Sequence, residues 1–342
     1  MTADITTTDT PQCEVCGSAG AVLHERASDY LFGAPGVWRY RRCHWCRLVW
    51  QDPMVTAADV GRLYASYYTH AKPPETGTGM ARRLYRAAQR GYLGNTFGYP
   101  VEHWLHRVLG ALLSLHPGRR VDADFLAQYL PASARGRLLD VGCGHGEMLA
   151  QMRDLGWSAQ GIEPDARAVD VARARGFHVA LGTVFTAEVP SASFDAITLS
   201  HVIEHVHRPI ETLRRCRELL APGGALVAIT PNADSWGHRT FGAAWRGLEP
   251  PRHLQVFSRD ALSAAAEAAG FDTVHVRVTI RNARGIWDAS RAIQDAFHRG
   301  EARAVIPPPT ARAEVWQAAE WCRSLVIPDV GEELVLVARR GA

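Results

Sequence analysis

The sequence predicts an α/β chain: an open, mostly parallel sheet over 135–342, a helical linker or cap over 71–134, and a small cysteine-knuckle module over 1–70. Three observations predict it. The apolar burst Leu138-Leu139-Asp140-Val141 runs directly into Gly142-Cys143-Gly144-His145-Gly146 and then a helix-compatible stretch, Glu147 to Leu155; that is the order of strand, glycine turn and helix. Short apolar runs then alternate with helical ones, as βαβ units do. Ahead of them stand two C-x-x-C knuckles, Cys13/Cys16 and Cys43/Cys46. At about 150 residues per domain, 342 residues hold one such sheet domain and a smaller module.

Composition narrows the partners. Apolar residues at 47% and charged residues at 21% are ordinary for a globular chain. A formal charge of +3 argues against a nucleic-acid polyanion, which calls for a basic stripe and a domain pI above about 9. The opening MTADITTTDTP lacks a basic segment followed by an apolar one, so no secretory signal is expected. No apolar run reaches the roughly 18 residues of a membrane span. The expectation is a cytoplasmic protein whose seven cysteines stay reduced.

Taken in order, the knuckles come first. Four thiolates at their spacing can surround a tetrahedral zinc with no open position, the mark of a structural site; Cys13, Cys16, Cys43 and Cys46 are its predicted ligands. Between them lies a strand-rich stretch with Tyr30-Leu31-Phe32 and Val37-Trp38-Arg39-Tyr40. So small a module lacks a sufficient core, and the metal replaces it. Arg39, Arg41, Arg42 and Arg47 with Trp38 and Trp45 form a basic, aromatic patch, read as a solvated ribbon face before a nucleic-acid surface. Lys72–Gly79 is a linker by composition.

Met80–Leu93 and Val101–Leu115 read as helices. The first is basic on one side through Arg82, Arg83, Arg86 and Arg90; the second carries an apolar stripe of Trp104, Leu105, Val108, Leu109, Leu112 and Leu115. Two roles are open for the pair: a cap over the sheet domain, or peripheral contact with a membrane surface bearing a lipid-linked substrate. Beyond the glycine turn come a strand Ser158–Ile162, a helix Ala166–Arg175, strands Phe177–Ala180 and Phe194–Ser200, and a helix Ile210–Leu220 stopped by Pro222-Gly223-Gly224. A strand Ala225–Thr230, a helix Ala261–Ala269 and strands Phe271–Ile280 and Glu333–Ala338 complete the pattern. Residues Ile286–Ser324 form a helical insertion broken by Pro307-Pro308-Pro309.

The glycine turn predicts a nucleotide, because glycines let a ligand approach the backbone and allow positive φ. Asp140 sits at the strand's carboxyl end, where ligands of open α/β sheets bind. Glu163 follows the first glycine by roughly twenty residues, the place of an acid that grips ribose hydroxyls. Glu147 stands where the third glycine of a dinucleotide fingerprint belongs, against a pyrophosphate. A cofactor with a ribose but no phosphate, carrying an amino acid and a sulfonium, tolerates that anion.

LLDVGCGHGEMLAQM, GIEPD, FDAITLSHVIEHV and LLAPGGALVAITPN, in this order and spacing, resemble the glycine motif, ribose acid, fourth strand and fifth strand of class I S-adenosylmethionine-dependent methyltransferases. The resemblance covers roughly Arg135 onward and implies a Rossmann-like, seven-stranded methyltransferase sheet. It implies a cofactor set of Asp140, Gly142, Gly144, Glu163, Thr183, Val184, Ser200 and His201, with Gly182-Thr183-Val184 where the family cradles adenine. The knuckles, followed by QDP and the tyrosine-rich Leu63–Tyr68, are similar to the zinc-binding leader of bacterial methyltransferases of sugar, surface-glycan and natural-product biosynthesis. Tyr64, Tyr67 and Tyr68 either close over the cofactor or pack on the ribbon.

Two clusters are candidates for acceptor chemistry. His201, Glu204 and His205, at i, i+3 and i+4, would share one face of a helix. Ser200–Val206 is similar to the S-E-x-x-E-H-V of ubiquinone-pathway O-methyltransferases, where the acids and histidine are associated with a divalent metal; here His201 replaces the first acid. Three readings stay open: His201 lines the cofactor while Glu204 and His205 cap backbone, His205 or His201 is the general base, or the cluster holds a divalent cation. Trp245-Arg246-Gly247-Leu248-Glu249-Pro250-Pro251-Arg252-His253-Leu254 would present Trp245, Glu249, Arg252 and His253 to a ligand. It resembles a loop of the type 11/23 methyltransferases, which makes His253 an acceptor-side residue; the other reading has it bonding its own loop's carbonyls.

The sequence therefore implies methyl transfer to a hydroxyl, or else a carbon or amine, of a sugar, glycan or natural-product acceptor. A rival reading is a binding module in which the ribbon recruits a carrier protein or nucleic acid and a catalytically inactive fold senses the cofactor.

Overall fold

The structure is a computed structural model that describes residues 5–64 and 79–342. Its strands are β1 Thr7–Thr8, β2 Gly20–Ala27, β3 Trp38–Cys43, β4 Val49–Gln51, β5 Met54–Val55, β6 Arg137–Val141, β7 Ser158–Glu163, β8 Val179–Leu181, β9 Phe194–Ser200, β10 Leu220–Pro231, β11 Gln255–Val256, β12 Thr273–Thr279 and β13 Glu333–Arg339. Its helices are α1 Ala57–Val60, α2 Met80–Phe97, α3 Trp104–Ser114, α4 Pro117–Leu126, α5 Glu147–Asp154, α6 Ala166–Ala174, α7 Pro209–Leu219, α8 Trp236–Phe241, α9 Arg259–Ala268, α10 Ala283–Arg299 and α11 Ala311–Ser324. Seven strands form one sheet in the order β12-β13-β10-β9-β6-β7-β8, with β6 to β9 parallel. Strand order reverses between β6 and β9, which makes their carboxyl ends the ligand-binding edge of such a sheet.

Contacts divide the chain into two compact units. One comprises Tyr68–Leu199, Glu218–Val227 and Arg339–Ala342. Cys143, Leu149, Val169, Ala172, Phe177 and Val179 form one of its cores. Helices α2 to α4 build a second core from Tyr92, Leu93, Tyr99, Leu113, Ala123, Ala127 and Ala132. Trp157 Nε1 donates to Tyr99 Oη at 3.0 Å, and that hydroxyl donates to the Leu130 carbonyl at 3.1 Å. These two bonds pin the helical segment to the turn that leads into β7.

Helices α2 and α3 cross with their backbones in contact. A Cβ on Gly91 would lie 1.6 Å from the His106 carbonyl oxygen, and one on Gly110 would lie 2.2 Å from the Tyr92 nitrogen. This crossing turns the Gly110/Leu113 face of α3 inward and leaves Trp104, Leu105, Val108, Leu112 and Leu115 exposed. Helix α4 has no counterpart in the sequence reading; Pro117 opens it, and the His116 ring caps it by accepting from the Arg119 N–H.

The other unit comprises Met1–Tyr67, Ser200–Arg217 and Ala228–Ala338. Its N-terminal strands form a four-stranded antiparallel sheet, β11-β4-β3-β2. The fourth strand therefore comes from the segment after Leu254, with Gln255 opposite Trp50 and Val256 opposite Val49. The Tyr30–Phe32 strand expected from sequence is a turn: the Asp29 carboxylate accepts backbone N–H groups from Leu31, Phe32 and Ala34 at 2.8 to 3.0 Å, an arrangement that competes with a ladder. The strand that precedes it, β2, lies within the strand-rich stretch expected between the knuckles.

Pro222-Gly223-Gly224 lies inside β10, not between helix and strand; Gly223, at φ +76°, donates its N–H to the Arg340 carbonyl at 3.0 Å. The insertion consists of α10 and α11. Thr310 caps α11 and its hydroxyl donates to Asp288 at 2.6 Å, while Trp316 stacks on Trp236 of α8 at 3.8 Å. Tyr67, Tyr68 and residues 72–78 of the linker lie outside the described residues.

Candidate functional site

The glycine turn follows β6 with Gly142, Gly144 and Gly146 at φ +73°, +52° and +81°. That run of left-handed backbone requires glycine and brings the N–H groups of Gly142 and Cys143 onto the Ile162 carbonyl at 2.8 and 3.2 Å. Gly144 donates its N–H to Glu163 Oε2 at 2.8 Å, and Asp165 donates to Oε1 at 3.0 Å, so the predicted ribose acid is oriented by the turn itself. A Cβ on Gly144 would meet nothing within 4 Å; the backbone there is open to a ligand. A Cβ on Gly161 would instead lie 2.3 Å from Cys143 Sγ, which marks Cys143 as packing.

Asp140 is buried and accepts from the Thr198 hydroxyl at 2.6 Å, joining β6 to β9 at the switch point. Burial raises its carboxyl to about 7; the Thr198 bond works against this and the Glu163 charge adds to it. Gly182, at φ +132°, hangs on the Glu163 carbonyl by its N–H at 2.9 Å. Thr183 is exposed, with its backbone N–H on the Thr186 hydroxyl at 2.9 Å. Val184 is buried at 3%, its side chain in the core. Ser200, half-buried, ends β9. Three carboxylates on or beside the turn, those of Asp140, Glu147 and Glu163, repel phosphate and suit a cationic nucleoside.

In the other unit, His201 does not share a helical face with Glu204 and His205. It sits at φ +56° ahead of a single 3₁₀ turn, Ile203–His205. Its backbone N–H donates to the Ile229 carbonyl at 2.8 Å, which aims the ring between two acids. Nδ1 lies 3.2 Å from Glu204 Oε1 and Nε2 lies 3.4 Å from Glu333 Oε1. Burial alone would lower the His201 pKa, but the two carboxylates outweigh it and raise it to about 10. His201 is therefore an imidazolium at neutral pH, and the expectation that it could act as a base is corrected: it has no lone pair to accept a proton.

Glu204 is fully buried and takes a further bond from the Thr230 hydroxyl at 3.0 Å. Burial would raise it; the His201 bond and the neighbouring imidazoles hold it down at about 2. The His205 Nδ1–H donates to the Arg252 carbonyl at 3.0 Å, and the His253 Nδ1–H to the Gly247 carbonyl at 2.8 Å. A carbonyl only accepts, so each neutral ring keeps its lone pair on Nε2. The two rings meet edge to face with centroids 4.7 Å apart, and Glu204, His205 and His253 bring one ligand atom each within 4.8 Å of one another. His253 is 4% exposed, and burial lowers its pKa to about 4 against the pull of Glu249.

The Trp245–Leu254 loop faces inward, and the expectation that Trp245, Glu249, Arg252 and His253 point at a ligand is corrected. Trp245 Nε1 donates to Glu332 at 2.8 Å, and its ring stacks on His238 at 4.7 Å. Arg252, 1% exposed, donates from Nη1 and Nη2 to Asp29 Oδ2 at 2.9 Å and from Nε to Glu249 Oε1 at 2.9 Å. Removing a partner from a buried network strands the remaining charges. Arg252→Ala is therefore expected to cost about 3–5 kcal/mol in urea unfolding, and a loss below about 1 kcal/mol would show that Asp29 and Glu249 are solvated. Glu333, Arg281, Asp29 and Glu332 were missed from sequence; each meets its partner only through the fold.

The predicted cysteine ligands converge. Sγ–Sγ distances are 3.5 Å for Cys13–Cys46, 3.4 Å for Cys16–Cys43 and 3.6 Å for Cys16–Cys46. These are far longer than a disulfide and near the roughly 3.8 Å edge of a tetrahedron with Zn–S bonds of about 2.3 Å. Each knuckle closes on a residue of positive φ, Gly17 and Arg47, and the Trp45 N–H points at Cys43 Sγ at 3.4 Å. The donor set, four thiols with no open position, fits a structural metal.

A family model described as a methyltransferase domain matches residues 115–276. A ubiquinone biosynthesis O-methyltransferase of Cereibacter sphaeroides is 35% identical over 150 residues, 40% of this chain and 61% of that protein. One of Xanthomonas oryzae pv. oryzae is 34% identical over 163 residues, 44% of this chain and 68% of that protein. The chain thus spans 61% of the length of the first of these relatives. Among solved structures, a SAM-dependent methyltransferase from Archaeoglobus fulgidus shares 20% identity at a TM-score of 0.44, over 67% of this chain and 94% of that one.

Proposed function

Because the chain belongs to the class I S-adenosylmethionine-dependent methyltransferases, we propose that it transfers the cofactor's methyl group to a hydroxyl of a small-molecule acceptor. The observation that carries this reading is the oriented pair at the glycine turn: Glu163, held by the Gly144 N–H, and Asp140 at the switch point. Bound S-adenosylmethionine supplies a methyl on a sulfonium, itself a good leaving group. The chain's own residues do the rest. Glu163 accepts from the ribose hydroxyls, Asp140 sets a negative charge toward the cationic end of the cofactor, and His205 takes the acceptor's proton on Nε2 while the Arg252 carbonyl fixes its tautomer. His201, as a cation between Glu204 and Glu333, with Arg281 as the second cation on Glu333, balances the two carboxylates and so positions this cluster. Both Glu204 oxygens are already engaged, Oε1 by His201 and Oε2 by the Thr230 hydroxyl, so proton transfer is the reading preferred to a bound cation.

Cys13, Cys16, Cys43 and Cys46 are proposed to hold a structural zinc. A sugar or glycan acceptor is the finer form of the proposal and rests on the cysteine leader; the relatives, named for ubiquinone biosynthesis, support a small-molecule hydroxyl more broadly.

Calorimetric titration with S-adenosylmethionine tests the reading. Glu163→Ala is expected to weaken binding about 100-fold, two charge-assisted hydrogen bonds of about 1.5 kcal/mol each. In the wild type, affinity is expected to rise with pH through about 7, because a cationic ligand favours ionised Asp140; Asp140→Asn should flatten that dependence. A wild-type protein that takes up no cofactor sinks the proposal.

A further inference from the structure

We propose that α3, with the basic helix α2 beside it, docks on an anionic lipid bilayer surface. The five residues Trp104, Leu105, Val108, Leu112 and Leu115 recur at helical spacing and make one apolar stripe. A helix with such a stripe normally buries it. Here the opposite happens: Trp104 is 76% exposed, Leu112 60% and Leu115 78%. The inversion is enforced, since the Gly91–Gly110 crossing admits no side chain and only that face of α3 can approach α2 so closely. Exposed apolar residues continue on α2 with Met80 at 71% and Leu84 at 52%.

Charge selects the occupant. Residues 79–126 hold seven arginines and three acids, so this segment alone carries more positive charge than the net +3 of the whole chain. Arg83, Arg86 and Arg90 are exposed on α2. An apolar stripe ending in a tryptophan, next to a row of arginines, is the pattern of a helix lying in a membrane interface, its apolar side among acyl chains and its cations at anionic headgroups. A second copy of the chain would bring two positive segments together, which charge opposes. Among the described residues no helix is long and apolar enough to cross a membrane, so the contact is peripheral.

Co-sedimentation of the full chain with vesicles of phosphatidylcholine, with or without phosphatidylglycerol, tests the proposal. Wild type is expected to sediment with the anionic vesicles alone, less so at high salt, and Leu112→Glu to lower that partition at least about tenfold. Leu112 is exposed, so the variant should keep the wild-type melting temperature and cofactor titration; this separates failure here from failure of the methyltransferase reading. Equal partition of variant and wild type, no binding to anionic vesicles, or a dimer that Leu112→Glu dissociates without any vesicle binding would each overturn the proposal, the last in favour of a second copy.

Discussion

His205→Ala is expected to lower kcat by about 10²- to 10⁴-fold and leave the affinity for S-adenosylmethionine unchanged. The expectation follows from elimination among three imidazoles that the sequence offers as equals. His201 has carboxylates on both ring nitrogens, a geometry that stabilises the charged form and removes the lone pair a base needs. His253 is 4% exposed, with its Nδ1–H spent on Gly247. His205 is half-buried, and its tautomer is set by a backbone carbonyl, so Nε2 is the acceptor on every ring that is neutral. A base held this way loses little entropy when the acceptor arrives.

The readout must separate proton transfer from architecture. His205→Ala should lower kcat while the melting temperature and the cofactor titration stay at their wild-type values, a split that a packing defect would not give. His201→Gln serves as the contrast. It leaves Glu204 and Glu333 facing an uncharged side chain, and its principal effect should appear in the melting temperature. A raised histidine pKa gives stability that is fully present below the unfolded value of about 6.5 and is lost as pH rises through about 10. The difference in melting temperature between wild type and His201→Gln should therefore be largest below about pH 6.5, shrink progressively above it and be gone by about pH 10. If His205→Ala keeps kcat within about twofold of wild type, the base lies elsewhere and the assignment fails.

Local pattern carried much of this structure. Strand β9 runs over Phe194–Ser200 as its apolar run indicates, and the glycine turn falls where left-handed backbone at three alternate positions demands it. The four cysteines could be paired with one another from spacing alone, because a knuckle is a local object. What sequence could not show depends on meetings between distant segments. His201 looks like a base until Glu333, at the start of the last strand, is placed against its second nitrogen. Arg252 looks like a ligand contact until the Asp29 turn is folded against it, and that same turn removes the strand expected at Tyr30–Phe32. The stripe on α3 was legible as a stripe. Its direction was not, because two glycines on different helices decide which face turns inward.

Removing the proposed zinc from the cysteine cluster, by chelation or Cys13→Ser, is expected to destabilise far more than the knuckles. Structural zinc contributes about 10–16 kcal/mol to peptide-sized sites, comparable with the 5–15 kcal/mol that stabilises a whole domain. Here the ribbon sheet shares its fourth strand, β11, with the segment that follows the Arg252 loop. Tyr40, fully buried in β3, donates its hydroxyl to the His253 carbonyl at 3.0 Å; the Ser258 hydroxyl donates to the Cys46 carbonyl; Arg47 lies 2.9 Å from Asp260. Loss of the cluster should therefore release β4 from β11 and free the carbonyl of Arg252 that orients His205. Limited proteolysis of the metal-free protein should cut within 245–258 as well as within 12–50, and methyl transfer should fall although no cysteine is assigned a part in the chemistry. The glycine turn belongs to the other compact unit, so cofactor titration should survive. A metal-free protein with the wild-type cleavage map and activity would show that the sulfur cluster closes without an ion and that the ribbon holds by its strand pairing alone.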